Sequence, residues 1–201
     1  MKTIKVFFLS LVFLSGVGLV NAQKLSFGVQ AGSNFAVQSQ IGDYFNNEDI
    51  RVGLHAGVFT KYSISDKVSF QAEINYDQLG SKSKTVNNNF EYLNIPVLFD
   101  YSVGKSDLTL LNFDLYAGPY AGFLLKAESN LKDSETDQTT DLKENTNNIT
   151  GGVIIGFGLR YPINNQKILL DFRLGLGLTP YDKNDYVPKN KYFGISLGYE
   201  F

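Results

Sequence analysis

The last ten residues of the chain, Tyr192 to Phe201, alternate strictly between apolar side chains and small or polar ones. The apolar set is Phe193, Ile195, Leu197, Tyr199 and Phe201. Because successive side chains of a β-strand point to opposite faces, this segment predicts a strand with one apolar face. A soluble barrel packs such a face inward, whereas a barrel that spans a bilayer turns it outward and keeps the polar face for its lumen.

The same alternation recurs along the chain. The segments are 25–35, 52–62, 68–77, 92–101, 113–123, 152–161, 168–177 and 192–201. In the third of them, for example, Ile74 belongs to the apolar set and Glu73 to the polar set. Eight is the smallest even number of strands known for bilayer-spanning barrels. The pattern predicts an all-β fold, an eight-stranded antiparallel transmembrane β-barrel in an up-and-down meander.

The connections between these segments alternate in length, as they do in outer-membrane barrels. Longer polar segments occur at 36–51, 80–89, 126–149 and 182–191, and shorter ones at 63–67, 102–110 and 162–166. Short turns are typical of the periplasmic side, so both mature termini are expected to be periplasmic and the long loops extracellular. Tyrosines near the inner interface then form an aromatic girdle: Tyr62, Tyr101, Tyr161 and Tyr199.

Residues 1–22 have the pattern of a secretory signal peptide. Lys2 and Lys5 precede an apolar run from Val6 to Val20, and small residues up to Ala22 form a cleavage site. A barrel domain over residues 23–201 remains, with 16 basic and 20 acidic residues, which disfavours nucleic acid as a partner. The chain has no cysteine, which excludes disulfides and a lipid attached at cysteine.

Several short motifs are spread over the mature sequence: Phe27 to Phe35, Gln71 to Tyr76 with Gly80, Tyr92 to Pro96, Gly118-Pro119 and Gly198 to Phe201. In these motifs the mature sequence resembles the PorT-like family of small outer-membrane barrels that is common in Bacteroidetes. Asn94 and Leu174 depart from the residues common in the family, glutamate and tyrosine.

This resemblance implies an outer-membrane location, and one namesake serves a protein-secretion and gliding apparatus. The final strand also resembles the C-terminal insertion signal of outer-membrane barrels, with Tyr199 and Phe201 as its aromatic residues. The barrel-assembly machinery and the lipid bilayer are therefore the expected partners, with an envelope protein partner left open.

Charged residues on the predicted inward face are the main polar feature. We expect Arg160 and Arg173 to share carboxylates in a lumen charge network formed by Glu73, Asp114, Arg160, Asp171, Arg173 and Glu200. An eight-stranded barrel is just wide enough for side chains to fill, so mutually paired charges are favoured over a permeation path. The predicted role is structural or interactive, with a small-solute porin as the alternative.

Catalytic patterns are weak in this sequence. The single histidine, His55, lies on a predicted inward face without a companion nucleophile motif, so the chain is not expected to be an enzyme and no cofactor is implied. A lipid-modifying outer-membrane enzyme remains a minor alternative. The acidic loop from Lys126 to Asn148 is expected to be mobile or to form a solvated ribbon, since it has few apolar residues and no glycine for a calcium-binding loop.

Overall fold

The computed structural model describes residues 25–39, 50–83, 85–103, 111–132, 137–180 and 189–201, so the predicted signal peptide lies outside the described residues. The strands are β1 (Leu25–Ser39), β2 (Arg51–Ser63), β3 (Val68–Lys82), β4 (Val86–Ser102), β5 (Asn112–Lys132), β6 (Asp137–Asp141), β7 (Ile149–Ile163), β8 (Gln166–Gly177) and β9 (Lys189–Glu200). A short 3₁₀ helix covers Lys143–Asn145. No helix in the described ranges is long and apolar enough to cross a membrane.

Eight of these strands close into an antiparallel barrel. Each of them pairs with its neighbours in the chain, except that β5 pairs directly with β7 and the short β6 lies beside the far end of β5. The first and last strands complete the circle, with Val29 opposite Tyr199. The eight-stranded meander predicted from the alternation is confirmed.

The predicted sidedness of the strands is also found in the structure. Along β3, Ile74 is 51% exposed on the exterior while its neighbour Glu73 is 1% exposed in the lumen. The exterior also carries a line of aromatic rings across β5, β7 and β8. The centroids of Phe113 and Phe157 are 5.6 Å apart, and those of Phe157 and Phe172 are 4.9 Å apart. An apolar exterior around a polar interior is the arrangement of a membrane barrel.

Two of the tight turns expected at the end that holds the termini are present. Between β2 and β3, the backbone N–H of Ile64 donates to Val68 O at 2.8 Å. Between β7 and β8, Asn164 has a φ of 57°, the left-handed conformation that asparagine tolerates in a two-residue hairpin. The third short connection falls largely on residues 104–110, which lie outside the described ranges.

The segment 80–89, predicted as a polar outer connection, is mostly strand, so that prediction was wrong. β3 continues to Lys82, β4 begins at Val86, and Gly80 pairs with Asn89. The apolar alternation fades where these strands leave the apolar band, but the backbone pairing continues. Of the other long connections, residues 40–49 and 181–188 are outside the described ranges.

The predicted acidic loop is partly an extension of the barrel wall. β5 runs to Lys132, and β6 pairs with it, with Gln138 opposite Leu131. The described part of this segment is thus the ribbon alternative of the prediction. Leu142 is not solvent-exposed as a solvated ribbon predicts, because it is only partly exposed and packs against a buried apolar cluster.

Candidate functional site: the barrel lumen

Four ionic side chains meet in the lumen near the end that holds the termini. Arg160 Nη1 lies 2.5 Å from Asp114 Oδ2, and its Nη2 lies 3.2 Å from Asp100 Oδ2. Lys61 Nζ donates to Asp100 Oδ1 at 2.8 Å and lies 3.6 Å from Asp114 Oδ2. All four side chains are buried. Two cations balance two carboxylates, so none of these buried charges is left alone.

Glu200 connects this cluster to the rim of the barrel. Its Oε1 accepts from Lys167 Nζ at 2.6 Å, and its Oε2 lies 3.9 Å from Arg160 Nε. The Lys167 side chain is 37% exposed, whereas that of Glu200 is 4% exposed. The ionic network therefore reaches solvent at the end of the barrel that holds the termini.

Arg173 organises the middle of the lumen. Its Nη1 donates to Glu73 Oε2 at 2.9 Å and its Nε donates to Asp171 Oδ1 at 2.8 Å. Tyr116 donates its hydroxyl to Asp171 Oδ2 at 2.6 Å, and the guanidinium carbon lies 5.9 Å from the centroid of that tyrosine ring. The side chains of Arg173 and Glu73 are 2% and 0% exposed, so this ion pair is held in a desolvated site.

Side-chain amides complete the coordination of Glu73. Gln71 Nε2 donates to Oε1 at 2.7 Å, and Asn75 Nδ2 donates to Oε2 at 2.7 Å. Gln30 Nε2 also donates to Oε2, at 3.0 Å. Since several hydrogen bonds satisfy the carboxylate, the buried pair is held in one geometry.

His55 lies in the next layer, on the far side of Arg173 from the termini. Its Nδ1 is 2.6 Å from Asp77 Oδ1, and Asn34 and Asn94 donate to the same carboxylate at 2.7 and 2.6 Å. Because the carboxylate accepts, Nδ1 carries the proton in this contact. Asp77 has no lysine or arginine within ion-pair distance in the described ranges, so imidazole and amide groups are its described partners.

An apolar layer, here called the cap, lies at the other end of the lumen. It consists of Ala36, Leu79, Phe90, Tyr92, Leu124, Ala127 and Tyr192, with Leu142 packed against it. These side chains come from five barrel strands, and Leu142 reaches them because its backbone N–H donates to Ala127 O at 3.0 Å. The ionic column therefore ends beneath a buried apolar cluster.

Inward glycines make room for aromatic rings from neighbouring strands. A Cβ added to Gly156 would lie 2.4 Å from the Tyr116 hydroxyl, and one added to Gly175 would lie 2.1 Å from the Tyr192 ring. The lumen beside Gly175 is therefore filled, because the Tyr192 ring occupies the space that a side chain at this position would need. Glycine on one strand and tyrosine on the next form complementary surfaces inside the barrel.

We expect Gly156→Ala to destabilise the barrel by about 1 to 3 kcal/mol, the usual cost of overpacking a well-filled interior. The matched control is Gly158→Ala on the same strand and face, because a Cβ there meets its nearest atoms only at 3.8 Å. Urea unfolding of the refolded barrel in lipid vesicles measures both. Equal stability of the two variants would show that the tyrosine–glycine contact at Gly156 adapts without cost.

The structure brings together the predicted charge network in two separate sets. In one set, Arg173 forms ion pairs with Glu73 and Asp171. In the other, Arg160 forms an ion pair with Asp114, and Glu200 lies further from it. The predicted network did not include Asp100 and Lys61, which pair with each other and with Arg160 and Asp114, and the cap was not predicted. Alternation could have located the cap residues, since Tyr92 falls on the inward face. No signal in the sequence gives the distances between strands far apart in the chain.

The two aromatic residues of the predicted insertion signal lie on the exterior. Tyr199 and Phe201 are exposed and their ring centroids are 6.4 Å apart. Phe201 pairs with the first strand, since its backbone N–H donates to Phe27 O at 2.9 Å. The last strand thus ends at the seam where the barrel closes.

The lumen carboxylates and His55 are the groups in the barrel whose side chains could ligate a metal ion. The described residues contain no group of three or more His, Asp or Glu side chains placed to hold a metal ion. What the described part of this lumen can do chemically is pair charges, since most of its ionic and amide groups contact one another.

A closed barrel with an apolar exterior and a lumen of paired charges defines a small bilayer-spanning barrel. The chain belongs to the outer membrane protein beta-barrel domain family, whose model matches residues 21–183. Its environment is therefore the outer membrane. Among curated proteins, none matches the sequence.

Solved structures share the fold at low sequence identity. A major outer membrane protein from Thermus thermophilus is 11% identical, with a TM-score of 0.50, 88% of this chain and 98% of that chain covered. Neisserial surface protein A is 15% identical, with a TM-score of 0.48, and 87% and 95% covered. The outer membrane protein OprG from Pseudomonas aeruginosa is 12% identical, with a TM-score of 0.48, and 88% and 95% covered. At such identities the likeness concerns the fold alone.

Proposed function

We propose that this outer-membrane barrel does not conduct solutes and has a structural or interaction role. The observation that carries the proposal is the cap above the ionic column. Apolar side chains from five strands meet across the lumen, and beneath them the arginines are paired with buried carboxylates. A solute would have to displace both layers, and separating a buried ion pair is costly.

Liposome swelling tests this role against that of a porin. Vesicles that contain the refolded barrel should swell in isosmotic glucose or glycine at the rate of protein-free vesicles. Swelling that rises with the amount of barrel in the membrane, and falls as the solute becomes larger, would favour the porin alternative.

We also propose that the single histidine is not catalytic. Its support is that His55 is 2% exposed and that its Nδ1 contacts Asp77. The His55→Gln variant is expected to leave the lipid composition of the outer membrane unchanged. A change in acylation of membrane lipids in that variant would support the enzyme alternative.

We propose that the chain belongs to the PorT-like barrels of Bacteroidetes and that it is linked to protein secretion. Both proposals rest on the sequence motifs that it shares with that family. Affinity purification of the full-length protein from cross-linked outer membranes, followed by mass spectrometry, is the test. Recovery of envelope proteins of a secretion apparatus would support the link. Recovery of the barrel with lipid and assembly factors only would contradict it.

Tyr199 and Phe201 are proposed to present the final strand to the barrel-assembly machinery. Deleting Phe201 should reduce the folded protein in the outer membrane, whereas Tyr161→Phe, an exterior change on β7, should not. Equal amounts of the two variants would contradict the proposal.

We propose that the chain termini face the periplasm, after removal of residues 1–22, and that the β5–β6 ribbon is extracellular. Thr139 is an exposed residue at the centre of β6, and an epitope inserted there should bind antibody on intact cells. The matched insertion at Asn164, in the β7–β8 turn, should bind only after the outer membrane is breached. The opposite result would invert this topology.

A further inference from the structure

The short strand β6 has a neighbouring strand on one side only. It pairs antiparallel with β5, with Thr139 opposite Asn130 at its centre, and it is the last strand in the order of the sheet. No other described strand pairs with it, and residues 138–141 are all exposed. Within the described ranges, β6 is therefore an open sheet edge at the end of the barrel opposite the termini.

The hydrogen-bond pattern shows which backbone groups of β6 face this edge. The N–H of Leu142 donates to Ala127 O at 3.0 Å, in the register that puts Asp141 opposite Glu128. In an antiparallel pair, hydrogen-bonded residues alternate with residues whose N–H and C=O point away from the partner strand. The backbone groups of residues 137, 139 and 141 therefore point away from β5, and in the described chain they have no backbone partner on that side.

The other edge of this part of the sheet is covered. β3 continues beyond its last pairing with β2, which is Asp77 opposite His55. There Arg51 Nη1 donates to Leu79 O at 3.1 Å, and Gly80 has a φ of 136°, far from the extended value that a further strand would need. Of the two edges, as far as the structure describes them, β6 is the one to which a strand can be added.

The charge along this edge selects the occupant. Residues 137–144 contain three carboxylates and one ammonium group, a net charge of −2: Asp137, Asp141, Glu144 and Lys143. A second copy of β6, paired antiparallel about Thr139, would place Asp137 opposite Asp141 at two positions. Like charges directly opposite each other destabilise a strand pair, whereas opposite charges stabilise it. The edge therefore disfavours a second copy of itself and favours a strand that carries lysine or arginine.

We propose that the free edge of β6 is a docking site for an extended, cationic segment of a partner protein, which adds a strand to the sheet. The N–H and C=O groups of residues 137, 139 and 141 supply the pairing. The acidic residues on the same face supply the preference for positive charge. This inference rests on the proposed interaction role and on the proposed topology, which places β6 outside the cell.

Fluorescence anisotropy of a labelled peptide tests this edge. The probe has about seven residues, a usual strand length, with lysine and threonine in alternation. The protein is the natural barrel refolded into phosphatidylcholine vesicles. A first control peptide is methylated at the backbone nitrogens of its lysines, which keeps the charge but removes the N–H groups that would pair beside the carboxylates. A second control peptide has glutamate in place of lysine.

Thr139→Pro is the matched variant of the barrel, and Thr139→Val is its control. Proline removes the N–H that points to the free edge and none that pairs with β5, whereas valine keeps it. We expect the dissociation constant of the probe to rise about tenfold for the proline variant, the usual effect of losing a hydrogen bond or two. It should stay within about twofold of the natural value for the valine variant. A heat-modifiability gel shows that both variants are folded.

Both control peptides should bind about tenfold more weakly than the probe. Equal binding of the methylated peptide would overturn the proposal, because attraction between charges alone would then explain the binding. Equal binding of the glutamate peptide, or of the probe to the proline variant, would overturn it as well. Quantitative disulfide-linked dimers of Thr139→Cys, in a chain without natural cysteine, would overturn it in favour of a second copy.

Vesicle swelling on the same sample separates this proposal from that of a closed lumen. A barrel that binds the probe and also lets glucose through would contradict the closed lumen and leave the docking edge in place. A sealed barrel that does not bind the probe would overturn the docking edge alone.

Discussion

Replacing Phe157 with arginine should prevent the barrel from assembling in a bilayer. Phe157 lies near the middle of β7, is 38% exposed on the apolar exterior and stacks between Phe113 and Phe172. An arginine at the bilayer midplane costs about 2 to 4 kcal/mol, and loss of the ring contacts adds to that cost. We expect no folded band for Phe157→Arg in a heat-modifiability gel after refolding into vesicles.

Two controls separate charge in the membrane from damage at the site. Phe157→Leu keeps an apolar side chain at the same position and should fold. Thr139→Arg adds the same charge at an exposed site on β6, outside the apolar band, and should also fold. If Phe157→Arg refolds as well as these two variants, this face of the barrel does not contact lipid.

Removing the guanidinium of Arg173 should have the largest effect in the lumen. Arg173→Met leaves the carboxylates of Glu73 and Asp171 buried without their cation. Breaking a buried pair by removing one partner typically costs about 3 to 5 kcal/mol. Urea unfolding in vesicles should therefore shift to a much lower midpoint for Arg173→Met than for the natural chain.

A double variant identifies the cause of that loss. Arg173→Met combined with Glu73→Gln removes the stranded charge at the most deeply buried carboxylate, so part of the lost stability should return. A loss below about 1 kcal/mol in the single variant would resemble an exposed ion pair and contradict a desolvated site. A double variant less stable than the single one would show that packing, not charge, dominates there.

The course of the barrel strands and the side of each inward residue could be predicted from the sequence. Period-two alternation determines both the position of each strand and the side on which its residues lie. A slip by one residue would move Glu73, Arg160 and Arg173 into the lipid. The closing strand, with Tyr199 and Phe201 outward, followed from the same rule.

The sequence could not predict which charged side chains meet across the lumen. Arg160 meets Asp100, which is 60 positions away in the chain, and Arg173 meets Glu73, which is 100 away. These contacts depend on how the closed barrel staggers its strands, which no local pattern encodes. Gly175 shows the same limit, since a glycine in an alternating strand looks the same whether a tyrosine ring or open space lies above it.

The extended wall above the apolar band was missed for a different reason. Residues 80–89 and the start of the acidic segment are polar on both faces, so alternation no longer marks them as strands. Backbone pairing alone continues β3, β4 and β5 there. Leu142 was interpreted as part of a solvated loop because its contacts with the cap come from strands elsewhere in the chain.

Single-channel recording in a planar bilayer tests the closed lumen most directly. The purified barrel, inserted with the cap and the ionic column intact, should give a flat baseline over the whole voltage range. Insertion itself should be checked by recovering folded protein from the same membrane. Stable open steps of porin size from the natural chain would contradict a lumen sealed by the cap and by the paired charges of Arg160 and Arg173.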